Sequence, residues 1–294
     1  EIWEERERVG KGGQGSVYLH VCLEGKNPAA KGTMRAVKKS QIQCIDGDPY
    51  YYRRELMALR VLGNESKFRH HFVSFYGWFK TKDFVYVTME FLKDGSLESY
   101  LGDTKVLRES ECKQVAEQVL KALKIMHRAG FAHRDLNPRN ILISQMPTSR
   151  FGPQIWRIKL ADFGLTKRIE SGDGQISTVK GSPDYQPPEV DLMGRYPPTM
   201  NNTAFFRMDM WALGITTYYL LCHKYPFQSH AEKLTFIQGG EDHRRISQIH
   251  RDTLTRGTIT VTPEGQQFIS ELLIAAEKRK LPDECRKHAW FKEY

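Results

Sequence analysis

The segment from His133 to Asn140, HRDLNPRN, carries residue types that could do chemistry on a hydroxyl group. Asp135 could accept the proton of a hydroxyl group, as a general base does. Asn140 in the same segment and Asp162 in the later segment ADFG could supply oxygen ligands for Mg2+. Together these residues indicate metal-assisted chemistry at a hydroxyl group.

Near the start of the chain, the segment GKGGQGSV places its residues as Gly10-x-Gly12-x-x-Gly15-x-Val17. Glycine lets the backbone turn sharply and approach a phosphate without a Cβ clash. β-like sequence continues on both sides of this segment. A dinucleotide-binding fingerprint instead follows a strand and opens a helix, so the context argues against one here. Taken alone, the pattern also fits a plain glycine-rich hairpin.

Lys38 and Glu55 are further candidates for binding a nucleotide. Lys38 lies in the β-rich run MRAVKK, and Glu55 lies in a stretch with apolar residues at helical spacing. A strand lysine tethered by a helix carboxylate can point at the phosphates of a nucleotide. Each residue taken singly is more often a surface residue, so the prediction depends on the combination.

The elements that must position these residues change along the chain. Residues 1–90 alternate short β-like runs with turns and include a predicted helix over 49–62. From about residue 96 the pattern is helical, with long helices predicted over 109–130, 209–222 and 263–280. A strand-rich part followed by a helical part predicts an α+β fold with two lobes.

Composition places the 294 residues among ordinary globular proteins of one or two domains. The formal net charge of +9 fits acidic partners or a mildly basic surface. Lysine and arginine are dispersed and no nucleic-acid motif occurs, so no nucleic-acid partner is expected.

Cysteine usage and the most apolar run bear on compartment and membrane. The five cysteines are widely spaced without a CxxC pair, which favours reduced thiols in the cytoplasm or nucleus. The run MWALGITTYYLLC is too short to span a bilayer and predicts a buried helix, so no membrane partner is expected.

Five segments occur in one order: GKGGQGSV, AVKK, HRDLNPRN, ADFG and GSPDYQPPEV. In this order they resemble the signature set of the eukaryotic protein kinase catalytic domain, serine/threonine type. The resemblance covers essentially the whole chain and implies one kinase domain over residues 1–294. It implies a small N-lobe over 1–90, with an antiparallel sheet and one main helix, a hinge over 91–95, and a larger, mainly helical C-lobe over 96–294.

The resemblance implies transfer of the γ-phosphoryl group of ATP, with Mg2+, to protein hydroxyl groups. Lys38, tethered by Glu55, would hold the phosphates. Asn140 and Asp162 would hold Mg2+, and Asp135 would orient and deprotonate the acceptor. The residues implied for ATP are Gly10, Lys11, Gly12, Gly13, Gln14, Gly15, Ser16, Val17, Ala36, Lys38, Met89, Glu90, Leu92, Ser96 and Leu142.

Further residues resemble the supporting positions of the family. Asp209 would anchor the catalytic loop, and Glu189 would form a buried ion pair with Arg279. The residues implied to stack as a spine in the active state are Leu59, Phe75, Phe163 and His133.

The catalytic loop departs from the family at Asn137, where serine/threonine kinases usually have lysine. That lysine stabilises the negative charge of the migrating phosphoryl group, whereas asparagine donates a hydrogen bond without charge. By analogy with an oxyanion-hole donor, the loss is about 3 kcal/mol, or roughly 10²–10³-fold in rate. A weakened enzyme is predicted; the alternative is an ATP-binding scaffold of the pseudokinase kind. Ser182, in place of the usual threonine, is expected to steady Asp135 through its hydroxyl group.

Regulation is implied at the segment before Ser182. Arg134 precedes the catalytic aspartate, and in the family such an arginine often binds a phosphorylated activation loop. Thr178 and the adjacent Ser177 lie where the activating phosphosite often falls, which implies an upstream activating kinase. The alternative is a plain polar loop. The isolated domain is expected to be monomeric, with protein substrates as its partners.

Overall fold

The computed structural model divides into two compact units. Unit 1 comprises Glu1–Lys93 with Asp162–Gly164, and unit 2 comprises Asp94–Ala161 with Leu165–Tyr294. The boundary after Lys93 lies inside the predicted hinge. The residues that the structure describes are 1–12, 15–25, 31–42, 52–147, 155–168, 181–190, 203–256 and 260–292.

Unit 1 is built on a five-stranded antiparallel sheet. The strands are β1 (Ile2–Gly12), β2 (Gly15–Glu24), β3 (Met34–Gln41), β4 (Phe75–Lys80) and β5 (Phe84–Glu90). Their order in the sheet is β1-β2-β3-β5-β4. β3 has a partner strand on each side, and its residues Ala36, Val37 and Lys38 are buried. Lys38 pairs in register with Val17 of β2 and Val87 of β5, so the middle of the sheet fixes its position.

Helix α1 (Tyr52–Leu62) belongs to unit 1 and is amphipathic. Its buried residues Glu55, Ala58, Leu59 and Leu62 follow the i, i+3, i+4, i+7 pattern of one helix face. Glu55 is the charged member of this face, and burial of a charge requires a partner.

The segment Asp162–Gly164 belongs to unit 1 although the predicted lobe boundary placed it with the second lobe. Asp162 bonds to Lys38, and the ring of Phe163 meets the ring of Phe72 edge-on at a centroid distance of 6.0 Å. These two contacts hold the segment on unit 1.

Unit 2 is mainly helical. Its helices in the described ranges are α2 (Leu97–Leu101), α3 (Glu109–Arg128), α4 (Thr203–Cys222), α5 (His230–Gln238), α6 (Gly240–Arg256), α7 (Pro263–Leu272) and α8 (Pro282–Cys285). Almost the whole length of α4 is buried, as expected for a central helix, and α3 and α7 both pack against it.

Four short strands hold the segment that contains Asp135. β6 (Phe131–Ala132) pairs with β9 (Lys167–Arg168), and β7 (Ile141–Gln145) pairs with β8 (Arg157–Leu160). Residues 133–140 run between β6 and β7, so strand pairing anchors both ends of this loop.

The predicted α+β class is confirmed, with a small antiparallel sheet and one main helix before a larger helical part. The buried helix predicted over 209–222 is confirmed within α4. The helix predicted over 263–280 is wrong in its second half, because α7 ends at Leu272 and Ala276–Lys278 form a separate turn. The chain turns there so that Arg279 reaches Glu189, and this buried contact outweighs local helix propensity.

Two sequence predictions concern membranes and thiols. Among the helices in the described ranges, none is long and apolar enough to cross a bilayer. The described cysteines, Cys22, Cys112, Cys222 and Cys285, are free thiols.

Candidate active site

Three charged side chains converge in unit 1 around Lys38. Its Nζ donates to Glu55 Oε1 and to Asp162 Oδ1, both at 2.7 Å. β3 supplies the lysine, α1 the glutamate and the segment after β8 the aspartate. Lys38 is only 5% exposed, so its pair with Glu55 is buried, whereas the side chain of Asp162 is 33% exposed. The sequence predicted the pair with Glu55 and missed the direct contact with Asp162.

The electrostatics of this cluster keep Lys38 charged. Burial disfavours the ammonium, but the charges of Asp162 and Glu55 outweigh burial and raise the pKa of Lys38. Burial raises the pKa of Glu55, against the lowering effect of Lys38. A permanently protonated lysine in a fixed position is suited to binding an anionic phosphate.

Asp162 adopts an uncommon backbone conformation. Its φ of 58° lies in the left-handed region, which non-glycine residues seldom adopt. The Gly164 N–H donates to Asp162 Oδ1 at 3.2 Å, and this bond holds the turn. Backbone strain of this kind is concentrated at functional sites.

The glycine-rich segment is described in part, and Gly13 and Gln14 lie outside the described residues. At Gly15, φ is 145° and a Cβ atom would clash with the carbonyl oxygen of Lys39, so the sheet itself requires glycine. At Gly12, a Cβ atom would meet no described atom within 4 Å. Open space beside this backbone therefore fits the approach of a phosphate group.

The other nucleotide residues predicted in unit 1 lie along the sheet and just after it. Met89 pairs with Ala36 across β3 and β5, and both are buried. The Glu90 carboxylate accepts from the N–H and the hydroxyl group of Ser74, at 3.1 and 3.3 Å. This side chain therefore ties the end of β5 to the residue before β4. The other nucleotide residues predicted in the described part of unit 1 stay a prediction: Gly10 and Lys11 in β1, Ser16 and Val17 in β2, and Leu92 after β5.

In unit 2, Ser96 and Leu142 form an isolated antiparallel bridge. Ser96 is also the N-cap of α2, where its Oγ accepts from the Ser99 N–H at 3.2 Å. Capping is a common role of serine. The hydroxyl group predicted for the ribose therefore has a structural role that sequence reasoning missed.

Three N–H groups donate to the carboxylate of Asp135. Its Oδ1 accepts from Asn137 Nδ2 at 3.0 Å and from the Ser182 N–H at 3.1 Å, and its Oδ2 accepts from Asn140 Nδ2 at 3.0 Å. Charge-assisted hydrogen bonds of this kind stabilise an ionised carboxylate. The arrangement fixes the orientation of Asp135 as a proton acceptor.

Asn137 is fully engaged inside this loop. Its Nδ2 also donates to the Asp135 carbonyl oxygen at 3.0 Å, and its Oδ1 accepts from the Arg139 N–H at 3.0 Å. The residue is 2% exposed. Sequence reasoning treated Asn137 as the loss of a cation and missed its role as a support for Asp135. The signal was present, since asparagine followed by proline is typical of the start of a helical turn, here Pro138–Asn140.

Ser182 contacts Asp135 through a different group from the one predicted. The sequence predicted the hydroxyl group, whereas the structure has the backbone N–H as the donor. Ser182 is extended before the turn Pro183–Tyr185, and this geometry directs its N–H at Asp135. The contact is therefore independent of the side chain.

Asn140 is oriented in a way that suits a metal ligand. Its Nδ2 donates to the carbonyl and the carboxylate of Asp135, at 2.8 and 3.0 Å. The amide oxygen consequently faces away, and within the described residues no donor is bonded to it. An amide oxygen with free lone pairs fits Mg2+, which is held in kinase sites by few protein ligands together with phosphate oxygens.

Asp209 of α4 anchors the loop before Asp135. It accepts from the backbone N–H groups of His133 at 2.9 Å and Arg134 at 2.8 Å, while His127 Nε2 lies 2.8 Å from its Oδ2. Arg134 has a φ of 68°, so these bonds stabilise an otherwise unfavourable backbone. His127 is a supporting residue that sequence reasoning missed.

The predicted pair of Glu189 and Arg279 forms. Arg279 Nη1 donates to Glu189 Oε1 at 2.7 Å, and Nη2 donates to Oε2 at 3.3 Å. The guanidinium also donates to the carbonyl oxygens of Arg207 and Ile274 and is 1% exposed. Bidentate pairing with full burial makes this contact structural.

The remaining predictions are described less completely. Phe163 contacts Phe72 in unit 1, and His133 lies 3.2 Å from the carbonyl oxygen of Ala161 in unit 2, so the stacked spine stays a prediction. The Arg134 side chain is buried, with its guanidinium over the ring of Phe205. Ser177 and Thr178 lie outside the described residues.

Comparisons with known proteins agree with this geometry. The family described as the protein kinase domain matches residues 3–291. A probable myosin light chain kinase of Dictyostelium discoideum is 27% identical over 269 residues, which cover 91% of this chain and 62% of that protein. The serine/threonine-protein kinase ULK1 of Homo sapiens is 32% identical over 176 residues, which cover 60% of this chain and 15% of that protein.

A solved structure supports the same fold. The structure of the Rad53 kinase domain and SCD2 has a TM-score of 0.66 and 24% sequence identity, and the match covers 99% of this chain and 88% of that chain. The chain spans less than two thirds of the length of the two curated relatives. The prediction of a protein kinase domain of the serine/threonine type is confirmed by the family match and these relatives. The chain belongs to the protein kinase domain family.

Proposed function

We propose that this chain transfers the γ-phosphoryl group of Mg-ATP to serine and threonine hydroxyl groups of protein substrates. The observation that carries the proposal is the Asp135 carboxylate, which three N–H donors hold in one orientation. In phosphoryl transfer the protein contributes mainly positioning and charge neutralisation. A carboxylate held in this way can orient the attacking hydroxyl group and accept its proton.

The nucleotide would be held from unit 1. Lys38 would bind its phosphates, because the ammonium stays charged and its two carboxylate partners fix its position. Asn140 and Asp162 would ligate Mg2+, which when bound neutralises charge on the phosphate oxygens. The open backbone at Gly12 leaves room for a phosphate group beside β1.

In the proposed reaction, Asp135 accepts the proton of the acceptor hydroxyl group, the hydroxyl oxygen bonds to the γ-phosphorus, and ADP leaves. Asn137 supports Asp135 but adds no positive charge beside the migrating group. The chain is thus proposed to be a working enzyme with a lowered rate. An ATP-binding scaffold is the second candidate, and the absence of lysine at position 137 is the observation that favours it.

Several finer points belong to the same proposal. Phosphorylation at Thr178 or Ser177 by an upstream kinase would raise activity, as the position of both residues before Ser182 suggests. The domain would act as a monomer, in the cytoplasm or nucleus, on protein substrates.

The test is single-turnover phosphoryl transfer from Mg-ATP to a generic serine/threonine protein and to the chain itself. We expect transfer by the wild type and its loss in Asp135→Asn, which keeps the shape of the side chain and removes its basicity. Mass spectrometry of the products maps the acceptor residues in the chain, Thr178 and Ser177 included. Nucleotide binding without any transfer by the wild type would instead support the scaffold.

A further inference from the structure

Lys233 of α5 is a buried cation that the proposed mechanism does not use. Its Nζ donates to three backbone carbonyl oxygens of one turn: Pro183 at 2.9 Å, Asp184 at 3.2 Å and Gln186 at 2.8 Å. The residue is 4% exposed. An ammonium has three N–H donors and no acceptor, so this turn satisfies all of its hydrogen-bonding capacity.

The position of Lys233 in its helix is unfavourable by itself. α5 begins after Ser229, whose Oγ accepts from the Glu232 N–H at 3.1 Å, so Lys233 lies in the first turns of the helix. The N-terminal end of a helix dipole disfavours a cation, and burial of an unpaired charge is costly. Contact with the three carbonyl oxygens offsets part of this cost.

The turn that Lys233 holds also supports Asp135. Ser182, directly before the turn, donates its N–H to Asp135 Oδ1 at 3.1 Å. Pro183 and Asp184 are exposed, and Tyr185 is the buried member of the turn, edge-on to Tyr225. Lys233 therefore bonds to the turn at three points, beside the backbone bonds that the turn makes within itself.

We infer that Lys233 is a positioning residue for phosphoryl transfer, which acts through the turn 183–186 and the Ser182 N–H on Asp135. The inference rests on the proposed function. It adds a residue from α5, far from the catalytic loop in sequence, to the set that determines the rate.

The charge of Lys233 gives this role a measurable signature. Burial lowers the pKa of Lys233 to about 8, against the opposing charge of Asp184. Among the described residues, Tyr185 and Tyr225 also lie beside the turn, and burial raises the pKa of both hydroxyls, so they stay neutral in this range. Arg134 and Asp135 lie on the other side of the turn, next to Ser182. Loss of the proton removes one donor and the charge, so kcat should fall as pH rises through about 8.

The stability of the folded wild type relative to Lys233→Met should rise with pH over the range in which kcat falls. The pKa of Lys233 is lower in the folded state than its ordinary value of 10.5, so the unfolded chain binds more protons between about pH 8 and 10.5. The melting temperature of the wild type relative to Lys233→Met should therefore rise over this range while kcat falls. A purely structural lysine would not separate the two quantities in this way.

The experiment measures kcat and both KM values against pH from 6.5 to 9.5 for the wild type, Lys233→Met and Lys233→Arg. Lys124→Met is the matched control, because Lys124 is a half-buried lysine of the same unit whose partner, Asp283, lies outside the turn and the catalytic loop. We expect Lys233→Met to lower kcat roughly 10- to 100-fold with KM for ATP unchanged, since small misplacement of a reacting group has this effect. Lys233→Arg should restore much of kcat and lack the alkaline fall.

Each outcome decides the inference. A folded Lys233→Met with the kcat of the wild type overturns it and leaves the proposed function intact. If Lys233→Met does not fold, the pH profiles of kcat for the wild type and Lys233→Arg are compared instead. A decrease of kcat above about pH 8 in the wild type alone supports the inference, and identical profiles overturn it. Absence of transfer by the wild type overturns the proposed function, and this inference with it.

Discussion

The substitution Asn137→Ala tests the support that the structure assigns to Asn137. It removes the bonds from Nδ2 to the carboxylate and carbonyl oxygens of Asp135, together with the acceptor for the Arg139 N–H. Asn140 and Ser182 still donate to the carboxylate, so two of the three donors seen among the described residues remain. The expected result is a slower enzyme that still folds.

The size of the effect follows from the kind of bond that is lost. A hydrogen bond to a charged group contributes about 1.5–3 kcal/mol. Because two donors remain, we expect the lower end, about 1.5 kcal/mol, which is roughly a tenfold decrease in kcat. Loss of a donor to the ionised carboxylate should also move the acid limb of the pH profile of kcat/KM to higher pH.

Single-turnover transfer at several pH values measures both effects. Asn64→Ala, at an exposed asparagine, is the matched control and should leave both unchanged. Asn137→Lys introduces the missing cation, and we expect its rate to exceed that of the wild type, by as much as roughly 10²-fold. An Asn137→Ala enzyme with the wild-type rate and the wild-type acid limb would refute the proposed support of Asp135.

Two further predictions concern the buried charge pairs. Glu55→Gln should lower kcat/KM for ATP roughly 10²-fold, because Lys38 loses one of its two ion partners seen among the described residues and shifts toward the other, Asp162. Steady-state kinetics measures this change, with Glu65→Gln at an exposed glutamate as the control. Equal kinetics of the two variants would contradict the prediction. Arg279→Ala should lower the free energy of unfolding by about 3–5 kcal/mol, because Glu189 is left without its buried partner. Urea denaturation measures the change, and the exposed Arg128→Ala should change it by less than about 1 kcal/mol.

Local patterns predicted much of the fold for physical reasons. Strands β4 and β5 are rich in aromatic or β-branched residues, and α3 has the periodicity that burial of one helix face requires. The nearly continuous apolar run of α4 is typical of a helix that is buried on all sides. The end of α7 could not be read in this way, because the residues after Leu272 favour a helix locally. Arg279 ends it through a contact with Glu189, which is distant in sequence and adjacent only in the folded chain.

In the candidate site, too, the sequence predicted some properties of single side chains and could not predict their contacts in the folded chain. Residue type predicted which groups could ligate a metal, bind a phosphate or accept a proton. It could not predict partners, and partners change what a residue does: Asn137 lacks the charge of lysine, yet its buried amide holds Asp135.

The missing cation and the added support at position 137 act on different quantities. A cation beside the migrating phosphoryl group stabilises the transition state and changes the plateau rate. A donor to Asp135 also stabilises its ionised form, so it changes the pH at which the rate falls. The two variants therefore separate the two roles. A displaced acid limb in Asn137→Ala, which changes no charge, assigns the position to the support of Asp135. A raised plateau in Asn137→Lys assigns the lowered rate of the wild type to the missing cation.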